Sequence, residues 1–261
     1  SSSGGGRGGY CLSTNDGDAL TQGPADPVWG GHNRANFGGL GGRPLDYSTG
    51  RVFLGGGGGS GHDNDGEGGG GGNGGGLIFI SSYGDVNGTG QLIANGENGT
   101  GSEGLTVSFT GTANKDGSGG GGAGGAILIK TVTNVSGVSL ESKGGLGGNQ
   151  VLTVGPFGGS KIEAQGTGGG GTGGYIGISN LGLTTDLEGG LNGITNSDGL
   201  TEFPPNGATK GDTGLITQID KHVTFYADND TICGGGSVTI TPTIIGVIPL
   251  GQLNWYNSYT S

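Results

Sequence analysis

The sequence predicts an all-β chain: a glycine-rich, parallel β-helix-like solenoid followed by the opening strands of a β-sandwich. Three observations carry this. Glycine makes up 73 of 261 residues. The long glycine runs each end at a short apolar strand, 68–76 at Leu77–Ile80, 119–125 at Ala126–Ile129 and 168–174 at Tyr175–Ile178. The strands begin at 77, 126 and 175, a constant step of 49 residues. Glycine without a period reads as linker. A fixed register reads as stacking, in which each unit buries its face against the next.

The elements follow in chain order. Residues 1–54 are irregular and turn-rich, and hold Trp29, His32, Arg34, Phe37, Arg43 and Tyr47. They are expected to cap the first coil, because repeat arrays need atypical ends. Residues 55–221 form the solenoid. Within each period the strand is followed by a polar turn and a second apolar stretch, as in 77–80, 85–90 and 92–94. Later strands at 105–109 and 161–164 alternate in polarity. Three or four strands per period correspond to two coils of about 20–25 residues. From 184 the pattern fades into a linking segment. Residues 222–261 change composition: 223–227, 237–241 and 253–256 alternate as sandwich strands do. They are too few for a complete sandwich of about seven strands, so the domain is expected to continue past Ser261.

The glycine runs need a physical account, since glycine loses the most freedom on folding. Packed segments of polyglycine-II type, with no Cβ to hold neighbouring backbones apart, are favoured over surface loops. A loop has no need of glycine at every position.

Composition bounds the function. A net charge of −11 with only ten Lys and Arg disfavours nucleic acid as a partner and attraction to anionic lipid. No apolar run approaches the roughly 20 residues that cross a bilayer. Ser1-Ser2-Ser3-Gly4 has neither the charged nor the apolar region of a signal peptide, so a removed leader or a longer parent chain is expected. Cys11 and Cys233 are candidates for a disulfide, with each other or with partners outside the segment.

Candidate chemistry is sparse. Asp63, Asp65 and Glu67, in His62-Asp63-Asn64-Asp65-Gly66-Glu67, are the densest set of hard oxygen ligands and the candidate calcium site, although glycines replace the closing ligands of an EF-hand. A solvated polar turn competes with that reading. His32, His62 and His222 lack zinc-site spacing. Glycosidase or lyase chemistry on a β-helix would need clustered carboxylates. Asp85, Glu97, Glu103, Asp116, Glu141, Glu163 and Glu188 are scattered, so no enzyme is expected. Trp29, Phe37 and Tyr47 are candidate ligand-contact aromatics, with cap packing as their competing role. Flat repetitive faces keep ice binding as an alternative.

Two stretches carry a resemblance. Thr231-Ile232-Cys233-Gly234-Gly235-Gly236-Ser237-Val238-Thr239-Ile240, followed by Leu253-Asn254-Trp255-Tyr256-Asn257, resembles the immunoglobulin-like repeats of very large Bacteroidota surface proteins. The stretch from Gly50-Arg51-Val52-Phe53-Leu54-Gly55 through Leu77-Ile78-Phe79-Ile80 looks like the glycine-rich modules near the start of giant secreted bacterial proteins. Together they imply a type IX secretion substrate similar to gliding-motility adhesins. The implied location is extracellular, on the cell surface. The implied partners are other surface or secretion-machinery proteins, glycans or abiotic surfaces. Asp230-Thr231-Ile232 fits the short O-glycosylation motif of that phylum, making Thr231 the implied acceptor.

Overall fold

A computed structural model describes residues 4–10, 38–63, 68–102, 116–153, 165–197, 205–222, 224–226 and 243–245. Among them there is no helix; the strands pair in parallel apart from one antiparallel pair. The expected register holds. β1 (Leu77–Ser82), β4 (Ala126–Thr131), β7 (Tyr175–Ile178) and β9 (Leu215–Gln218) form one sheet in that order, with Leu77 opposite Ala126, Ala126 opposite Tyr175 and Tyr175 opposite Leu215. β2 (Val86–Asn87) pairs with β5 (Val135–Ser136). β3 (Gln91–Ile93), β6 (Ser139–Glu141) and β8 (Thr184–Asp186) form a third sheet. The first two periods each give one strand to every one of these three sheets. Strands expected at 105–109 and 161–164 lie outside the described residues.

The strands are rich in β-branched and aliphatic residues because they face a narrow apolar core. Ile127, Ile129, Val135, Leu140, Ile176 and Ile178 fill it, with Ile78, Ile80, Val86 and Leu92 packed at its β1 end. Gly137, between β5 and β6, has φ +74°, a left-handed turn position that favours glycine.

Beyond the strands, the glycine runs are packed against one another. In the 117–125 segment the N–H groups of Gly117, Gly120 and Ala123 donate to His62, Gly59 and Gly56. Those of Ser118, Gly121 and Gly124 donate to Gly166, Gly169 and Thr172, and those of Gly119, Gly122 and Gly125 to Thr100, Glu97 and Ala94. All lie between 2.7 and 3.0 Å. Every third residue meets the same neighbour, which is the three-residue turn of a polyproline-II or polyglycine-II helix. The carbonyls of Gly117–Gly122 accept in the same rotation, from segments 68–76, 4–9 and 142–150.

Six segments thus surround 117–125, and 166–174 is enclosed in the same manner. The result is three rows. Segments 68–76, 117–125, 166–174 and 208–214 run in parallel through the middle. Segments 94–101, 142–150 and 187–195 lie along one side, and 55–62, 4–9 and 38–42 along the other.

Two expectations change. Residues 4–9 and 38–42, expected in a cap, are bundle members: Gly169 and Thr172 donate to Arg7 and Gly4, and Gly39 and Gly42 donate to Thr167 and Gly170. The expected linking segment contains β8, the 187–195 and 208–214 segments and β9. Its step from Tyr175 to Leu215 is shorter than the earlier ones, which hid it from a search at fixed period.

Glycine is needed here for space. A Cβ on Gly121 would overlap the carbonyl of Gly145, and one on Gly171 the carbonyl of Gly122. The close approach pairs nearly every interior N–H and C=O, as buried backbone requires. Each hydrogen bond contributes a net of about 0.5–1.5 kcal/mol. That gain, repeated along the runs, offsets the roughly 0.5–1 kcal/mol by which ordering a glycine costs more than ordering an alanine.

Candidate interaction surfaces

In the side segments 142–150, 187–195, 4–9 and 38–42 most residues face the bundle and about every third points outward. On one side the outward residues include Asn95 and Asn98, Lys143 and Leu146, and Glu188, Leu191 and Ile194. Asparagine stitches neighbouring segments of this row together. The Lys143 N–H donates to Asn95 Oδ1 at 2.7 Å, that of Leu146 to Asn98 Oδ1 at 2.8 Å, and that of Ile194 to Asn149 Oδ1 at 2.8 Å. The side-chain amide stands in for a missing neighbouring peptide. Across these segments runs a groove of about 420 Å3 lined by Asn95, Asn98, Lys143, Leu146, Glu188 and Leu191 among others. Leu146, Leu191 and Ile194 are 46, 63 and 51 % exposed, so the face is regular, polar at its seams and apolar on its crests.

At the strand end of this face Lys143 Nζ lies 2.8 Å from Glu141 Oε1 and 3.4 Å from Asp186 Oδ2. Asn95 Nδ2 donates to Glu141 Oε1 at 2.6 Å. The Lys143 hydrogen bond, then that of Asn95, holds the Glu141 carboxyl below its ordinary pKa, and Lys143 is raised in return. These four side chains join three successive periods.

The opposite side carries Arg7, Leu40 and Arg43 above a floor of glycine backbone, in a groove of about 540 Å3. Two cations beside an aliphatic side chain suit an anionic or hydroxyl-rich ligand.

No family model, no curated protein and no solved structure matches this chain. The surfaces must therefore be read from their own chemistry.

The residues singled out in the sequence fall as follows. Tyr47 stacks on Tyr175, with ring centroids 4.4 Å apart at 15°, and meets Phe53 edge-on at 5.7 Å. Burial, with Tyr175 second, pushes its phenol above the ordinary pKa. The ring packs against the Tyr175 end of the sheet. Asp63 is exposed at the end of the 55–62 segment; Asp65 and Glu67 lie outside the described residues, as do Trp29, Phe37, Cys11, Cys233 and Thr231. Among the described residues no three His, Cys, Asp or Glu side chains group as metal ligands, and no helix is long and apolar enough to cross a membrane.

Sequence reasoning missed the outward faces, although a signal exists. Gly5-Gly6-Arg7-Gly8-Gly9, Gly38-Gly39-Leu40-Gly41-Gly42 and Gly144-Gly145-Leu146-Gly147-Gly148 share a Gly-Gly-Xaa rhythm whose Xaa points out. Interior runs such as 119–125 have no such position, since each of their directions meets a neighbour.

Proposed function

We propose that this chain is a stiff, secreted cell-surface module, an adhesin or filament component that holds binding surfaces away from the cell. The observation that carries the reading is the six-neighbour hydrogen bonding of segments 117–125 and 166–174. Backbone paired in three directions resists bending and unravelling, while its outward third positions remain free to vary.

In this reading the strand layers are a solenoid with one coil per 49 residues. The antiparallel pair β10 (Thr224–Tyr226) and β11 (Thr243–Ile245) opens an immunoglobulin-like sandwich that extends the rod. The resemblance to gliding-motility adhesins of Bacteroidota makes type IX secretion its export route and attachment or gliding its role. The Arg7–Leu40–Arg43 groove and the Asn–Leu face are the contact surfaces for glycans or solid surfaces. No catalytic step is part of the reading.

Immunogold labelling of intact cells with antibody against residues 1–221 tests it. Label on thin surface fibres is expected. Soluble protein in the medium, with none on cells, would overturn the reading.

Ice binding is the second reading, favoured by the flat rows whose outward residues repeat about every 9 Å along each three-fold segment. Thermal hysteresis of the purified chain separates the two: a freezing gap supports ice binding and its absence leaves adhesion.

A further inference from the structure

We infer that the groove between Arg7, Leu40 and Arg43 binds an acidic glycan, a sugar chain bearing carboxylate or sulfate groups. The inference rests on the reading of this groove as a contact surface and names the class of ligand it takes.

The three-fold backbone decides what the groove presents. In segment 4–9 the N–H groups of Gly6 and Gly9 donate into the bundle, to Gly121 and Ser118, and that of Arg7 donates sideways to Leu40. The remaining direction, that of Gly5 and Gly8, leads away from the bundle, and neither N–H has a partner among the described residues. The same holds for the N–H groups of Leu40 and Gly57. All four residues line the groove. The carbonyls of Gly5, Gly8 and Gly57 also accept nothing from the described residues. Main chain left open in this way offers hydroxyl groups both donors and acceptors.

The charges select among hydroxyl-rich ligands. The chain has a net charge of −11 and only ten Lys and Arg, yet Arg7 and Arg43 both stand at this groove. Among the described residues no carboxylate lines it. The Arg7 N–H bonds to the Leu40 carbonyl, which sets the two level. Arg43 follows Leu40 by one three-residue turn, about 9 Å along the segment. Two guanidinium groups so spaced can each fork onto an anionic group of one chain. Leu40, 37 % exposed, gives an apolar flank to the C–H face of a sugar ring. The groove's volume of about 540 Å3 lies within the roughly 300–1,000 Å3 of small-ligand sites.

A further glycine segment does not fit here. Inside the bundle a Cβ at a contact position overlaps a neighbouring carbonyl, as one on Gly121 would that of Gly145. Arg7, Leu40 and Arg43 carry full side chains at the outward positions and hold another row of backbone off. Between them the floor stays bare. A Cβ on Gly59 would stand 3.1 Å from the Gly8 nitrogen and cover its open N–H.

The test is isothermal titration calorimetry of the full chain with oligogalacturonate, sulfated dextran, uncharged dextran and polyglutamate. The variants are Arg7→Gln and Arg43→Gln, with Lys130→Gln, in β4, as the control for diffuse charge. Oligogalacturonate and sulfated dextran are expected to bind, each arginine variant weakening both about tenfold through loss of a charge-assisted hydrogen bond. Lys130→Gln should bind as wild type does, and uncharged dextran should give no heat. The inference would be overturned by the absence of binding to both acidic glycans, or by uncharged dextran binding as tightly. Equal binding of polyglutamate would assign the groove to an acidic peptide instead. A loss with Lys130→Gln matching that with Arg7→Gln would reduce the effect to overall charge. None of these results bears on whether antibody labels the cell surface, so the inference and the adhesin reading fail separately.

Discussion

The strand layers and the glycine bundle are built from the same 49-residue period yet are held together by opposite means. In the layers the backbone pairs sideways and aliphatic side chains close the core, with Ile127 and Ile176 both fully buried. In the bundle only a few small side chains, among them Ala123 and Thr172, enter the interior, and backbone groups bond to neighbouring segments all round. The difference is one of tolerance. A side-chain core accepts a smaller residue at the cost of a cavity, whereas at most positions of the backbone core an added Cβ meets a neighbouring carbonyl.

The largest effect should therefore come from the smallest chemical change. Gly121→Val would drive its side chain into the Gly145 carbonyl, and main chain cannot rotate away. We expect a loss of more than about 4 kcal/mol, read as disappearance of the cooperative unfolding transition. Ile176→Ala in the strand layers should cost about 2–5 kcal/mol and leave a folded protein with lowered Tm. If valine at 121 proved milder than alanine at 176, the contrast between the two cores would be wrong.

Smaller changes sharpen the comparison. Tyr47→Ala removes a stacked ring from the sheet and should cost about 0.5–1.5 kcal/mol beyond its lost area, measured by denaturant titration. Gly76→Ala sits on the bundle's open edge and should be neutral or stabilising by up to about 1 kcal/mol, through reduced freedom of the unfolded chain. The same alanine at Gly125, its equivalent one period on, should be strongly destabilising, because there a Cβ meets the Gly76 carbonyl.

The smallest effect is electrostatic. Glu141 is held below the ordinary glutamate value of 4.5 by Lys143 and then Asn95. A depressed carboxyl stabilises the fold above its unfolded pKa, and that contribution is lost as pH falls through the folded value. Screening limits it to about 1 kcal/mol or less. Lys143→Ala should flatten the Tm-against-pH curve below about pH 4.5 by that amount.

Much of the layered part was legible because it uses side chains. Leu77, Ala126 and Tyr175 announce the register through the apolar runs they begin, and the structure pairs them in that register. The bundle was legible only in outline. Glycine carries no polarity pattern, so nothing in 119–125 says which neighbour each residue meets. Residues 4–9 and 38–42 escaped because Arg7 and Leu40 make short runs look like irregular chain, when both are the outward third residue of a bundle segment. The fourth member of the row escaped because Leu215 follows at a shortened step. The candidate surfaces were invisible for a related reason: nothing in the sequence sets Asn95, Asn98 and Asn149 apart until their side chains are seen bonding to the next segment.

Amide hydrogen exchange tests the central claim most directly, that the glycine runs form a hydrogen-bonded core. The amides of 119–125 and 170–173 should be protected to the level of β4 and exchange only through global unfolding. Those of Gly71 and Gly74, which have no backbone partner among the described residues, should exchange orders of magnitude faster. Exchange of the whole 119–125 run at the rate of an unstructured peptide, with β4 still protected, would contradict the account.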